Sequence, residues 1–87
     1  MYADSYSEEI TKKLAKLRKK DPAHYSKVRN KMNSILENPE HSYKFLHHDM
    51  KGILRVHIGH FVLIFVMDHE NMIVSFEDYD HHDIIYG

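Results

Sequence analysis

Eighty-seven residues, 43% hydrophobic and 29% charged, are the composition of one small globular domain spanning residues 1–87. The absence of cysteine excludes a disulfide framework, a cysteine-ligated zinc site and thiol catalysis. Twelve Lys and Arg against thirteen Asp and Glu give a net charge of −1, which argues against a generic nucleic-acid coat, while nine histidines leave that charge sensitive just below neutrality.

The first residues, Met1 to Tyr6, have neither a basic n-region nor an apolar h-region, so no secretory signal is expected there. Tyr2–Tyr6 could form a weak edge strand. Ser7 is a good N-cap, and Glu8 and Glu9 favour the positive end of a helix dipole. Ile10, Leu14 and Leu17 then recur on one stripe, which predicts a helix running to about Lys20. Asp21-Pro22 restarts the chain as N-cap and N1 proline. Tyr25, Val28, Met32, Ile35 and Leu36 make a second stripe that Asn38-Pro39 ends, so the two helices read as an αα-hairpin.

From Ile53 the period changes to two and the residues become β-branched and aromatic. Three strands are expected, at about Ile53–Ile58, Phe61–Met67 and Met72–Asp78. Gly59-His60 suits a two-residue type II′ hairpin, and Asp68-His69-Glu70-Asn71 a longer polar turn. Phe61–Met67 is apolar on both faces, as for the centre of a sheet, and too short to span a membrane. A reducing cytoplasm is the expected location. The fold class is α+β, in the order (β)ααβββ, with the helical hairpin packed on one face of a small antiparallel sheet.

Charge is unevenly spread along this layout. Nine of the twelve Lys and Arg lie between Lys12 and Lys31, on the helices, whereas six acids and no Lys or Arg follow Met67. A solvated helix face accounts for the first cluster, and so does a basic ridge that docks a large polyanion.

Alternation on the first strand of the hairpin turns Leu54, Val56 and Ile58 to the helices and puts Arg55 and His57 on the open face, about 7 Å apart. A half-buried strand always has a polar face, so the pair alone decides nothing. Asp80-His81-His82-Asp83 allows metal binding, acid–base work, or a polar tail whose Ile84, Ile85 and Tyr86 pack back onto the sheet. Neighbours in an extended chain do not face the same way, which weakens the metal reading, and an aspartate orienting an imidazole explains the acids more simply. His47-His48-Asp49 is weaker still as a metal site, since it falls in a loop.

The order of elements, the segment Lys51-Gly52-Ile53-Leu54-Arg55-Val56-His57-Ile58-Gly59, the following Phe61-Val62-Leu63-Ile64-Phe65 and the closing His81-His82-Asp83-Ile84-Ile85-Tyr86 resemble the RelE/ParE toxin superfamily, and within it the YafQ-like messenger-RNA interferases. The resemblance covers about Tyr6 to Tyr86. It implies the toxin of a type II toxin–antitoxin pair, which cleaves mRNA on the ribosome in the cytoplasm and is silenced by a cognate, RelB-like antitoxin. Arg55 with His57, and His82 four residues before Tyr86, match the histidine-using branch. Three features depart from the family: Val62 stands where a second arginine is frequent, His60 where YafQ-like proteins carry an aspartate, and the chain is not basic overall.

RNA cleavage without a metal needs a base for the ribose 2′-hydroxyl, an acid for the leaving 5′-oxygen and a cation for the phosphate. On the resemblance, His57 and His82 share the acid and base work, with His81 a further candidate, and Arg55 takes the phosphate. Tyr86 would hold the substrate base, and Lys44 and Lys51 would steer the RNA backbone. No cofactor, metal, membrane or DNA is expected to take part. The partners expected are the antitoxin, whose acidic amphipathic segment would wrap the domain, and the ribosome with its mRNA. The rival readings are a ParE-like toxin that inhibits gyrase without chemistry, and a weakened member that only binds its antitoxin. A modest fall in pH, charging the histidines, is expected to strengthen RNA contact.

Overall fold

A computed structural model describes residues 1–47 and 52–87 of the chain. Strand β1 (Ala3–Tyr6) leads into α1 (Glu8–Lys20) and α2 (Pro22–Glu37), followed by β2 (Lys44–Phe45), β3 (Ile53–Ile58), β4 (Phe61–Asp68), β5 (Ile73–His81) and the short α3 (His82–Tyr86). The five strands form one sheet in the order β1-β5-β4-β3-β2.

Local chemistry explains the helix ends. The Ser7 side chain accepts the Ile10 N–H at the start of α1, and Lys and Arg fill its last turn. Asp21 closes α1 through its own N–H and opens α2 by accepting the His24 N–H, with Pro22 next. One residue thus serves two helices and is the whole of the joint between them.

Ile10 and Leu14 from α1, and Val28, Met32, Ile35 and Leu36 from α2, pack on Ile58, Leu63, Phe65, Val74, Phe76 and Tyr79 of the sheet. At roughly 1.5–3 kcal/mol for each large apolar side chain removed from water, this layer is the main source of stability. The expected α+β arrangement is the one observed. In β4, Val62, Leu63, Ile64 and Phe65 are all buried, as the centre of a sheet flanked by strands on both sides allows. The Gly59-His60 loop joins Ile58 to its cross-strand partner Phe61, and Gly59 has φ +62°, as the first position of a type II′ turn requires.

Four details differ from the sequence reading. β1 pairs with β5 in parallel, because a long crossover through both helices and the hairpin separates the two strands. β2 is an additional strand of two residues, too short to show any alternation; it pairs Lys44 with Arg55 and Phe45 with Leu54 on the edge that β3 leaves open. β5 continues to His81 rather than stopping near Asp78, since Phe61 and Val62 of β4 need partners and find them in His81 and Asp80. The last residues form the helical turn α3, and Ile84 stays 67% exposed on it rather than packing back onto the sheet with its neighbours.

The charge asymmetry is partly internal. Lys13 of α1 donates to Asp78 Oδ1 and Asp80 Oδ2 of β5, each at 2.8 Å, so two of the distal acids hold a helix onto the sheet edge. Arg29 donates to the Tyr6 hydroxyl at 3.0 Å and lies over that ring. The hydrogen bond from Lys13 holds the Asp80 carboxyl below the ordinary carboxylate range despite partial burial. A depressed carboxyl contributes stability above its unfolded value near 3.8, and the contribution is lost as pH falls through the lower folded value. Lys13→Met is expected to cost about 1 kcal/mol at neutral pH and to flatten this acid loss, as urea midpoints measured between pH 7 and pH 3 would show.

Candidate functional site

The helices cover one face of the sheet. On the other, Val62 and Ile64 of β4 form a buried apolar floor. Arg55 and His57 stand beside it on β3, opposite Ile64 and Val62 in the register, as alternation requires. Lys44 is the cross-strand partner of Arg55 in β2. Arg55 Nε donates to the Phe45 carbonyl at 3.0 Å, which fixes the guanidinium stem and leaves its terminal nitrogens for another partner.

Helix α3 brings the remaining groups. The ring centroids of His57 and His82 are 6.0 Å apart, and Tyr86 lies 4.8 Å from His82 and 6.3 Å from His57. His47, two residues after β2, approaches Tyr86 at 6.0 Å. Four rings from three distant parts of the sequence therefore meet over the open face. Sequence reasoning passed over His47 as part of a loop motif, and its only signal was the histidine excess. His48, Asp49 and Lys51 lie outside the described residues.

His81 and His82 separate as neighbours at a strand–helix junction must. His81, the last residue of β5, caps α3 by accepting the Asp83 N–H on Nδ1 at 3.2 Å. Its ring stacks near His60 at 6.2 Å and meets Phe61 edge-on at 5.4 Å. His82 turns towards His57 and Tyr86, with Asp83 Oδ1 3.4 Å from its Nδ1. Among the described residues, no group of three or more His, Cys, Asp or Glu is arranged to hold a metal ion.

The electrostatics favour proton transfer. Partial burial pushes the His57 imidazole below its ordinary value of 6.5, and the positive charges of Arg55, His82 and Lys44 push it in the same direction. Val62 lies across from His57 and is fully buried. The site thus carries one arginine beside an apolar floor and an imidazole biased towards its neutral form. The Tyr86 hydroxyl is buried and has no hydrogen-bond partner among the described residues. A polar atom buried in this way costs about 1–3 kcal/mol of desolvation, so it stands out among groups that are otherwise satisfied.

No protein-family model matches the chain. An uncharacterised protein of Methanosarcina mazei is 46% identical over 87 residues, covering 99% of this chain and 100% of that protein. A protein of Methanocaldococcus jannaschii named "Putative toxin RelE4" is 42% identical over 87 residues, covering 99% of this chain and 92% of its own length. The fold is shared with the E. coli DinJ–YafQ complex, at a TM-score of 0.78 and 20% identity over 100% of both chains. It is shared too with the intact E. coli RelBE toxin–antitoxin complex, at a TM-score of 0.76 and 18% identity over 93% of this chain and 96% of that one.

Proposed function

This chain belongs to the RelE family of toxins of toxin–antitoxin systems, and we propose that residues 1–87 act as one ribosome-dependent, metal-independent mRNA endonuclease domain in the cytoplasm. The observation that carries this reading is the pair of imidazoles, His57 and His82, 6.0 Å apart beside Arg55 on the open sheet face, with the Tyr86 ring against both. A pure inhibitor has no use for that set.

His57 takes the general-base part, because its depressed pKa leaves it neutral and able to accept the 2′-hydroxyl proton. The 2′-oxygen then bonds to phosphorus, and the bond from phosphorus to the 5′-oxygen breaks as His82 gives its proton to that leaving oxygen. The products are a 2′,3′-cyclic phosphate and a free 5′-hydroxyl, so the step balances without water or a cofactor. Arg55 holds the phosphate oxygens as charge builds, with Lys44 and Lys51 on the neighbouring backbone. His81 supports this work through its cap on α3, which sets where His82 and Tyr86 stand.

Tyr86 supplies a stacking surface, and its hydroxyl, buried and without a partner among the described residues, gains one when the ring moves onto a substrate base. Tyr86→Phe is therefore expected to leave the free protein as stable or up to about 1 kcal/mol more stable. Cleavage by the same variant should fall. A melting curve and a cleavage assay on one preparation would measure both.

The RelBE neighbour is a toxin–antitoxin complex, which supports a cognate antitoxin as partner of this chain. The exposed cations of α1 and α2, among them Lys12, Lys16, Lys19, Lys20, Lys27 and Lys31, suit an acidic amphipathic segment of that protein. Once the antitoxin is removed, the same ridge suits ribosomal RNA phosphates.

The test is a cell-free translation reaction read by primer extension on the message. Cuts that require the ribosome and disappear in His82→Ala are the expected result. An intact message with blocked supercoiling would replace this reading by gyrase inhibition, and an intact message with unchanged supercoiling by a member that only binds its antitoxin.

A further inference from the structure

Beside the proposed catalytic pair lies a second pair of imidazoles that transfers no proton in the cleavage step. His57, Gly59, His60, His81, His82 and Asp83 line one concavity at the end of the β3–β4 hairpin. The His60 and His81 rings are 6.2 Å apart and only 21° from parallel. The His82 N–H donates to the His60 carbonyl at 2.8 Å, tying the hairpin turn to the start of α3. The two pairs thus share one rigid frame.

Proton positions follow from the contacts. His81 Nδ1 accepts the Asp83 N–H, so the neutral ring carries its proton on Nε2 and has a donor to spare. The carboxylate of Asp83 sits on the Nδ1 sides of both His81 and His82, at 3.7 and 3.4 Å. This leaves the Nε2 sides for a ligand. Neither Lys nor Arg lines the concavity among the described residues, so imidazole N–H groups are its side-chain donors. At Gly59 an added Cβ would meet nothing within 4 Å, and the floor beside the turn is therefore open to an approaching backbone. Donors of this kind, at a concave and open wall, suit an oxyanion such as a phosphodiester.

We propose that His60 and His81 form a second phosphate subsite, which binds the phosphodiester one nucleotide away from the scissile one. The subsite rests on the reading of the open face as an RNA-cleaving site. It turns His60, a departure from the family pattern, into a binding residue, and it gives His81 a direct contact in addition to its cap. The substrate is then held at two consecutive phosphates, one on Arg55 and one on the His60–His81 pair.

The experiment uses the full chain and a 2′-O-methyl RNA tetranucleotide, which binds without being cut, followed through the imidazole signals by NMR. Two further probes replace the phosphodiester on one or the other side of the central linkage by an uncharged methylphosphonate. The charged probe is expected to shift the signals of all four histidines. One of the two methylphosphonates should leave His60 and His81 unmoved and weaken binding about 5- to 10-fold, while His57 and His82 still respond. The double variant His60→Gln with His81→Asn should show the same weakening on the charged probe and none on that neutral one. Asparagine at position 81 keeps the helix cap, which separates loss of the subsite from loss of α3. If His57 and His82 respond while His60 and His81 never do, the subsite is wrong and the catalytic reading stands. If none of the four responds, the open face does not hold RNA by itself and the subsite is wrong, while the catalytic reading is decided separately by the ribosome-dependent cleavage assay.

Discussion

His57→Ala is expected to lower mRNA cleavage about 10²- to 10⁴-fold, the usual loss when a general base is removed. The wild-type rate should fall as pH drops through a value below 6.5, because partial burial and the charges of Arg55, His82 and Lys44 all disfavour the imidazolium. The variant should lose that acid limb and keep a slow rate that is flat across it. Lys44→Gln removes one of the three charges and should move the limb towards higher pH. The substitution reduces cleavage far less than His57→Ala, since Lys44 contacts backbone and transfers no proton. A pH series of single-turnover cleavage for the three proteins measures these effects, and an unchanged limb in His57→Ala would assign the base elsewhere. A fall in pH that charges histidines should strengthen RNA binding, whereas loss of the neutral His57 base slows the chemistry. The two effects are separable as opposite trends in Kd and kcat.

The same shift has a consequence for stability. A histidine whose folded pKa is lowered contributes stability above its unfolded value near 6.5, and that contribution is lost as pH falls through the folded one. His57→Asn should therefore reduce the loss of stability in mild acid, while abolishing the base.

The largest effect on folding is expected from Phe65→Ala. Phe65 has no exposed surface, and its ring meets Tyr43 edge-on at 5.3 Å and Phe76 at 6.3 Å. Tyr43 in turn donates its hydroxyl to the Asn38 carbonyl at the end of α2, so the cavity would open where helix, loop and central strand join. Removing a buried phenyl group costs about 3–5 kcal/mol, against a total of about 5–15 kcal/mol for a whole domain and less for a small one. Phe65→Ala should thus be largely unfolded near 37 °C. Phe65→Leu, which keeps most of the volume, should lose no more than about 1.5 kcal/mol. Urea midpoints for the pair would test this, and an alanine variant as stable as the leucine one would mean that the core repacks around the gap.

The helices were legible because their signals are local. Ser7, Asp21-Pro22 and Asn38-Pro39 mark their ends within a residue or so, and the spacing of Ile10, Leu14 and Leu17 marks their buried face. The hairpin was legible for the same reason, since a glycine at a type II′ turn sets the register of every pair from Ile53–Val66 to Ile58–Phe61. β2 and α3 were not. A two-residue strand and a five-residue helix are too short to show a period, and each exists because a strand edge or a sheet face elsewhere offers it a partner.

The candidate site divides along the same line. Period two alone puts Arg55 and His57 on the open face, since it depends only on neighbours in the chain. That His47, His82 and Tyr86 converge on them depends on where β2 meets β3 and where β5 hands over to α3. The distal acids make the same distinction: their number is a property of the sequence, but the engagement of Asp78 and Asp80 with Lys13, more than sixty residues away, belongs to the tertiary structure. The charge of −1 and the nine histidines are fixed by composition. Which charges neutralise one another, and which imidazoles face each other, is decided by packing, because Coulombic and hydrogen-bonding effects fall off over distances that only the folded chain brings within reach.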